Sequence, residues 1–178
     1  MIRLRCYAKL NLSLDITGKR PDGYHELDGI MQSISLSDTV EIERADGITT
    51  SFDVPDVDPV GNTAYAAARA FFDHTGIPGG ANIRIIKRIP RMSGLGGASA
   101  NAAAVLVGLN RLYGASLDGQ TLAELGVRIG ADVPFALIGG TARARGIGEV
   151  LRPLRLKTPF YAVVVKPRAG VPTAEAFR

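Results

Sequence analysis

The stretch of this chain that most restricts its possible folds is a glycine-rich loop followed directly by a helix. It runs from Pro90 to Tyr113 and reads PRMSGLGGASANAAAVLVGLNRLY. Apolar residues recur at helical spacing in its second half, which predicts a helix that begins near Ser99. Gly94, Gly96 and Gly97 let backbone amides approach a ligand closely, and the helix N-terminus adds unpaired N–H groups. The combination indicates a binding site for an anion, such as a di- or triphosphate.

The residues of this loop separate it from two common nucleotide-binding motifs. A Walker A loop requires Gly-Lys followed by Ser or Thr, and the chain contains no such sequence. A dinucleotide-binding fingerprint requires glycine where this loop has Ser99. The glycines, serines and Asn101 make 92–110 too polar for a membrane span. A flexible loop that leads into a core helix remains the competing interpretation.

The length and composition of the chain predict a globular protein with an anionic partner. Its 178 residues, 46% of them hydrophobic, suit one domain or slightly more. The net charge of +4 does not separate a nucleotide from a nucleic acid, but the basic residues are scattered, which disfavours an extended nucleic-acid interface. Cys6 is the sole cysteine and lies in an apolar run, so we expect it to be buried. The N-terminus lacks a signal-peptide pattern, which predicts a cytoplasmic location.

Alternation of apolar and polar residues predicts most of the strands. It does so over 2–7 and 10–16, with Lys9 and Asn11 at the junction, where a lysine is either a surface group or part of a site. A turn-rich loop over 17–24 ends at Tyr24 and His25, which suit either a surface loop or a binding site. Further strands are predicted at 29–35, 39–44 (with a turn at 37–38 between them), 48–52, 82–89, 141–144, 150–154 and 160–165, the last as a central strand.

Capping residues predict two further helices. Asn62 is the expected N-cap of a helix that runs to His74, with Gly76 as its C′ residue. A second helix is predicted over 116–128. Asp132 follows in apolar surroundings, where an unpaired carboxylate is costly, so it needs a cation or a hydroxyl as partner. An N-cap role before Val133 and Pro134 is the alternative, and the spacing does not decide between the two.

Four segments resemble those of the GHMP kinases and keep the order of that family. They are AKLNLSLDITGKRPDGYHEL at 8–27, PRMSGLGGASANAA at 90–103, IGADVPF at 129–135 and GVPTAEAF at 170–177. The resemblance implies an α+β fold like the second domain of ribosomal protein S5, a mixed sheet with helices packed on one side. It also implies an ATP-binding N-terminal domain over 1–165. Residues 166–178 would then be a stub leading into a ferredoxin-like C-terminal domain that is largely absent from this chain.

The resemblance further implies an ATP- and Mg²⁺-dependent kinase that phosphorylates an alcohol. Gly-Tyr-His in the first segment is similar to members whose substrate is a cytidine diphosphate derivative of methylerythritol, phosphorylated on its 2-hydroxyl in non-mevalonate isoprenoid precursor biosynthesis. The positions that match the family's functional residues fall into three groups. The catalytic pair is Lys9 and Asp132; the ATP-binding residues are Asn62, Pro90, Gly94, Leu95, Gly96, Gly97, Ala98 and Ser99, with Ser99 near the metal; the substrate-binding residues are Asn11, Tyr24, His25 and Phe177.

The loop departs from the family pattern at several positions. Ala98 and Ala100 stand where the family commonly has glycine and serine, and Arg91 and Ser93 replace small or apolar residues. Two alternative functions stay open: a GHMP kinase of the mevalonate or homoserine type, and a non-catalytic RNA-binding module with an S5-like fold. The first would not need Tyr24 and His25, and the second would not need Lys9 and Asp132. No nucleic-acid or membrane partner is expected of the kinase.

Overall fold

A computed structural model of the protein describes residues 1–166. It contains six strands and four helices, which in chain order are β1 (Ile2–Lys19), β2 (His25–Ala45), β3 (Thr49–Phe52), α1 (Thr63–Thr75), β4 (Gly80–Ile86), α2 (Gly97–Tyr113), α3 (Gly119–Ile129), α4 (Val133–Ile138), β5 (Thr141–Gly146) and β6 (Val150–Leu154). Positions 167–178 lie outside the described residues, and with them Phe177 and almost all of the predicted stub.

The long strand β2 organises a single mixed sheet. β1 pairs with β2 along one edge. On the other edge, β4 pairs with 39–45 of β2 and β5 pairs with 27–32. The order is β3-β4-β2-β5-β6, and within it only β3 and β4 run parallel. The mixed sheet that the resemblance implied is therefore confirmed.

Two predicted strand breaks are wrong because the β1–β2 ladder continues through them. The segment 8–11 lies inside β1, where the register shifts between Tyr7 and Lys9 and again between Asn11 and Ser13. The predicted turn at 37–38 lies inside β2, where Asp38 pairs with Cys6 and is fully buried. Continuous backbone pairing satisfies more N–H and C=O groups than a local turn does, so the ladder overrides the turn propensity of Ser-Asp.

The helices pack on one face of this sheet, which is also as predicted. Small residues bring α2 close to the sheet: a Cβ at Gly108 would collide with the side chain of Ile42. The centre of the core consists of fully buried apolar side chains, namely Val40, Ile42, Ile83, Ile85, Phe71, Val105, Leu106 and Leu109. Within residues 1–166, no helix has both the length and the apolar sequence that crossing a bilayer requires.

Capping side chains set several of the element ends. Asn62 caps α1 by accepting a hydrogen bond from Tyr65 N–H (2.9 Å), and Gly76 ends the helix at φ 65°, both as predicted. α3 begins at Gly119, later than predicted, because Asp118 accepts from Thr121 N–H (2.8 Å). β4 ends at Ile86, before the predicted 89, because the N–H groups of Arg88 and Ile89 donate to the buried Asp38 carboxylate instead of to a neighbouring strand.

The predicted central strand at 160–165 is wrong. These residues have no regular secondary structure and are exposed, with Tyr161 and Val163 almost fully accessible. An apolar run becomes a central strand only where two neighbouring strands offer unpaired backbone groups. Within the described part of the chain both edges of β2 are already occupied by β1, β4 and β5. Composition alone could not show that β1, β4 and β5 already pair with both edges of β2.

Candidate active site

A cleft of about 420 Å³ lies between the loop that precedes α1 and the glycine-rich segment that precedes α2. Two contacts join its walls: Thr63 Oγ1 donates to the carbonyl oxygen of Ala98 (2.8 Å), and the Arg91 guanidinium donates to the carbonyl oxygens of Pro55 (3.1 Å) and Asp56 (3.0 Å). The residues predicted to bind ATP all line this cleft: Asn62, Pro90, Gly94, Leu95, Gly96, Gly97, Ala98 and Ser99.

The glycine-rich segment turns the N-terminus of α2 into the cleft. Gly94 and Gly96 have φ angles of 72° and 70°, in the left-handed region that side chains disfavour. Gly96 is the N-cap residue of α2, and no side chain caps this end of the helix. The first N–H groups of the helix therefore have no intrahelical acceptor and point their partial positive charge at the cleft. This arrangement suits an anion, so binding of a phosphate group here stays a prediction.

Lys9 and Asp132 come from distant parts of the sequence and form an ion pair beside this loop. Lys9 Nζ lies 3.4 Å from Asp132 Oδ2, and the Lys9 side chain is 10% exposed against 30% for Asp132. Lys9 Nζ also donates to Asn11 Oδ1 (3.1 Å). The backbone N–H of Lys9 donates to the carbonyl oxygen of Leu95 (2.9 Å), so the glycine-rich segment is bonded directly to β1 at this point.

Gly96 lies directly over this ion pair. A Cβ placed there would come 2.9 Å from Lys9 Cγ and 3.8 Å from Asp132 Oδ2. The absence of a side chain at 96 is thus what allows the loop and the lysine to occupy neighbouring space. The glycine-rich loop and the predicted catalytic pair, Lys9 and Asp132, therefore lie next to each other.

The two interpretations of Asp132 are separated by its contacts. Asp132 occupies the N-cap position of α4, with Pro134 in the first turn, but its side chain makes no capping hydrogen bond. The carboxylate instead faces Lys9. It remains partly exposed, so it is available to a ligand as well as to the lysine.

Asn62 and Ser99, two further predicted site residues, line the cleft from different segments. Asn62 is engaged through its whole amide: besides capping α1, it donates to Thr50 Oγ1 (2.9 Å) and to the carbonyl oxygens of Asp58 (2.8 Å) and Pro59 (3.0 Å). Ser99 is half-buried in the first turn of α2, and a Cβ at Gly130 would lie 3.3 Å from its Oγ. Asn62 therefore shapes the outer wall, and Ser99 lies between the cleft and the segment that carries Asp132.

Tyr24 and His25 lie apart from the cleft lining, at the turn that joins β1 to β2. The Tyr24 side chain is exposed, and His25 pairs with Lys19 across the hairpin. Phe177, their predicted partner, is outside the described residues. The structure thus brings Lys9, Asn11 and Asp132 together, while Tyr24 and His25 form a separate group on the same two strands.

Sequence reasoning missed a buried polar group beneath the loop, formed by Asp38, Lys87 and Asn101. The Asp38 carboxylate binds the Lys87 ammonium and is fully buried. The available signal was the phase of β2: Asp38 occupies the same alternating position as the buried residues Val40 and Ile42. The predicted turn at 37–38 takes Asp38 out of the strand and so hides its position in this alternation.

The ionisable groups around the site respond to these contacts. Cys6 is buried as predicted, and its pKa is raised to about 12, chiefly by burial and then by the negative charge of Asp38. On the outer wall, the hydrogen bond from Lys87 N–H lowers the pKa of Asp53, with a further contribution from Arg88. The N–H groups of Val60 and Gly61 likewise lower the pKa of Asp58.

Known proteins share this arrangement of elements. Residues 62–140 match the family model described as GHMP kinases N terminal domain. The 4-diphosphocytidyl-2-C-methyl-D-erythritol kinase of Carboxydothermus hydrogenoformans is 50% identical over 173 residues, which are 96% of this chain and 59% of that protein. Across eight curated relatives that share this name, the chain spans 59–64% of their length.

Solved structures agree with the sequence relatives. The crystal structure of a 4-(cytidine 5'-diphospho)-2C-methyl-D-erythritol kinase superposes with a TM-score of 0.74 at 42% identity, over 87% of this chain and 56% of that one. A mevalonate kinase of Methanococcus jannaschii superposes with a TM-score of 0.67 at 18% identity, over 88% of this chain and 56% of that one, which is a likeness of fold.

Proposed function

The chain belongs to the GHMP kinases, whose N-terminal domain it carries, and from this premise we propose that it takes part in ATP-dependent phosphorylation of an alcohol. The proposed acceptor is the 2-hydroxyl of 4-diphosphocytidyl-2-C-methyl-D-erythritol, a step in non-mevalonate isoprenoid precursor biosynthesis. The relatives that carry this name are 42–50% identical to the chain. Because the chain spans only part of their length, the activity, the substrate and the partners are all parts of the proposal.

One observation carries the proposal: the Lys9–Asp132 ion pair lies directly under Gly96, at the open N-terminus of α2. A nucleotide whose phosphates meet the N–H groups of that helix would end next to a carboxylate and an ammonium. Phosphoryl transfer depends mainly on positioning and charge stabilisation, so a backbone cradle with two charged side chains is sufficient apparatus.

The side chains divide the work between the acceptor and the transferred group. The Asp132 carboxylate would accept a hydrogen bond from the substrate hydroxyl. It would align the hydroxyl, or take up its proton, as the hydroxyl oxygen bonds to the γ-phosphorus of ATP, the bond from that phosphorus to the bridging oxygen breaks and ADP leaves. The Lys9 ammonium, held by Asn11, pairs with the Asp132 carboxylate and would offset negative charge on the transferred phosphoryl group. The hydrogen bond from Lys9 N–H to the carbonyl oxygen of Leu95 holds the glycine-rich segment in a fixed position relative to Lys9.

A Mg²⁺ ion fits this site only through ligands shared with the nucleotide. The described residues include no cluster of three or more Asp, Glu, His or Cys side chains that could hold a metal. The Ser99 hydroxyl, half-buried in the first turn of α2, is the protein ligand we propose. When bound, the ion would neutralise part of the negative charge of the phosphates.

The hairpin turn carries the proposed specificity for cytidine. Tyr24 exposes an aromatic face, and His25 adjoins it with a ring that can donate and accept hydrogen bonds. Phe177 would complete the group. The substrates of a mevalonate or homoserine kinase carry no base that could stack on this surface. Weaker binding of a cytidine nucleotide to Tyr24→Ala than to the wild-type protein would therefore favour the cytidine substrate over these alternatives.

The decisive experiment measures ADP release in the presence and absence of the cytidine substrate. We expect Asp132→Asn to lower kcat by about 10²–10⁴-fold, the range that a positioned acid–base group contributes. Asp73→Asn is the matched control, because it removes an exposed carboxylate from an ion pair with Arg69 (3.6 Å) at the far end of α1. Substrate-dependent turnover that survives Asp132→Asn would refute the proposed roles.

A further inference from the structure

Asp38 is a charged group that the proposed mechanism does not use. It lies in the middle of β2, between the part of the strand that pairs with β5 and the part that pairs with β4. It is completely buried, and a buried carboxylate is retained only where its charge and its lone pairs are satisfied. Its partners therefore indicate what the charge is there to hold.

One carboxylate oxygen binds the chain where it enters the glycine-rich segment. Asp38 Oδ1 accepts from the backbone N–H groups of Arg88 (2.6 Å) and Ile89 (2.8 Å). These are the residues immediately before Pro90, which begins the loop. The bonds replace the strand pairing that β4 gives up after Ile86, and they fix the position from which the loop departs.

The other oxygen binds the helix at which the loop ends. Asn101, 3% exposed in α2, has one end of its side-chain amide 3.0 Å from Asp38 Oδ2 and 3.3 Å from the carbonyl oxygen of Gly97. We assign this end as the NH₂ group, which then donates to both oxygens. The amide is oriented in this way because the opposite orientation would set its oxygen against the carboxylate. Asp38 therefore contacts both ends of the loop, through atoms of one side chain.

The same oxygen binds Lys87, which brings a positive charge to the cleft. The Lys87 side chain is 10% exposed and lines the cleft. A Cβ at Gly97 would lie 3.3 Å from Lys87 Nζ, so the ammonium lies beneath the first residue of α2. Both oxygens of the Asp38 carboxylate therefore have partners: two backbone N–H groups for Oδ1, and the Lys87 ammonium and the Asn101 amide for Oδ2.

We propose that Asp38 is a positioning residue for nucleotide binding, which fixes both ends of the glycine-rich segment and the Lys87 ammonium before the phosphates arrive. The inference rests on the proposed function, since it concerns the same cleft. A loop that is already ordered loses less entropy when it binds a ligand, so the effect belongs to affinity more than to the chemical step. The buried ion pair between Asp38 and Lys87 thus favours one conformation of the glycine-rich segment over others.

Asp38→Asn tests this with little change of shape. The amide oxygen can still accept from Arg88 and Ile89, while the charge and the acceptor opposite Lys87 and Asn101 are lost. We expect the KM for ATP and the Kd of a non-hydrolysable ATP analogue to rise about tenfold, as for loss of a charged hydrogen bond. We expect kcat at saturating ATP to change by less than about threefold, since Lys9 and Asp132 are untouched.

Asp53→Asn is the matched control. Asp53 holds the same segment from the solvent side, through Lys87 N–H (2.7 Å) and the Arg88 guanidinium (3.3 Å), and among residues 1–166 its carboxylate makes no hydrogen bond or ion pair with α2. We expect a much smaller change in KM for ATP than in Asp38→Asn. Equal changes in the two variants would overturn the inference, because any carboxylate on the segment would then have the same effect.

Amide hydrogen exchange separates this inference from the proposed function. Without nucleotide, Asp38→Asn should accelerate exchange at residues 88–98 and leave β5 unchanged. Asn101→Ala, which removes only the tether to α2, should accelerate exchange at the helix end of the loop and serves if Asp38→Asn does not fold. Unchanged exchange in the loop refutes the role of Asp38 whether or not ATP binds. Failure of the wild-type protein to bind ATP, with the exchange pattern as expected, refutes the proposed function instead.

Discussion

At the scale of single residues, the site depends on how closely Lys9 and the glycine-rich loop approach each other. Lys9 is bonded to the loop through its backbone N–H and to Asp132 and Asn11 through its ammonium. The contacts with the loop and with Asp132 join segments that are distant in the sequence, whereas Asn11 lies on the same strand as Lys9. A small steric change at Gly96 should therefore affect chemistry as well as the loop.

Gly96→Ala should lower kcat by at least about tenfold relative to Gly94→Ala, since a misplaced group in an active site loses its alignment. The two glycines have nearly equal φ angles of 70° and 72°, so both variants carry similar backbone strain. They differ in space: a Cβ at 96 meets Lys9, whereas a Cβ at 94 meets nothing within 4 Å. Steady-state kinetics check this, and equal losses would show that strain alone matters.

The residue types of the site could be predicted from the sequence, but their proximity could not. Glycine spacing predicted the anion site, and the apolar surroundings of Asp132 predicted that it needs a partner. Nothing in the local pattern identified Lys9 as that partner, because the pair forms only through the β1–β2 ladder and the packing of α4. The resemblance to a family indicated that Lys9 and Asp132 act together. Asp38 was missed because neither the local sequence pattern nor the resemblance identified it.

At the scale of elements, side-chain caps and long strands decide where the chain turns. The cap at Asn62 was predictable, because the Asn62 side chain bonds within its own neighbourhood. The continuity of β1 and β2 was not, because it depends on pairing between strands. Local signals such as Ser-Asp predict a turn, and the partner strand overrides them.

Asn62→Ala should destabilise the protein more than Asp118→Ala, by about 1 kcal/mol or more, because Asn62 has donor contacts that Asp118 lacks. Asp118 accepts a hydrogen bond at the N-cap of α3, whereas Asn62 caps α1 and also donates to Thr50 Oγ1 and to the carbonyl oxygens of Asp58 and Pro59. Urea unfolding followed by circular dichroism measures both. A destabilisation of Asn62→Ala no greater than that of Asp118→Ala would mean that the donor contacts add nothing.

At the scale of the whole molecule, the sheet and its helices form one frame around β2, and the apolar segment 160–165 lies outside it. The fold class was predictable from the resemblance, and the core from apolar periodicity. The location of 160–165 was not predictable, because an apolar run indicates that a segment can be buried but does not identify the element that it packs against.

The stability of the frame should fall in acid. Hydrogen bonds from backbone N–H groups lower the pKa values of Asp53, Asp58 and Asp118 below 3.8 in the folded protein. The unfolded chain therefore binds protons first, and the stabilisation, complete well above pH 3.8, is lost as the pH falls through the lower folded values. Urea midpoints between about pH 5 and 2.5 measure this, and Asp118→Asn should reduce the slope. A midpoint independent of pH over this range would contradict the assignment.

The central claim is that the phosphates of ATP bind at the N-terminus of α2, next to Lys9 and Asp132. The most direct test is a titration of the ¹⁵N-labelled protein with a non-hydrolysable ATP analogue, followed by amide NMR. The account predicts that the largest shifts fall on residues 94–99, with smaller ones at Lys9 and Asp132. Shifts centred instead on Arg143 and Arg145, the guanidinium groups paired with Asp28, would contradict it.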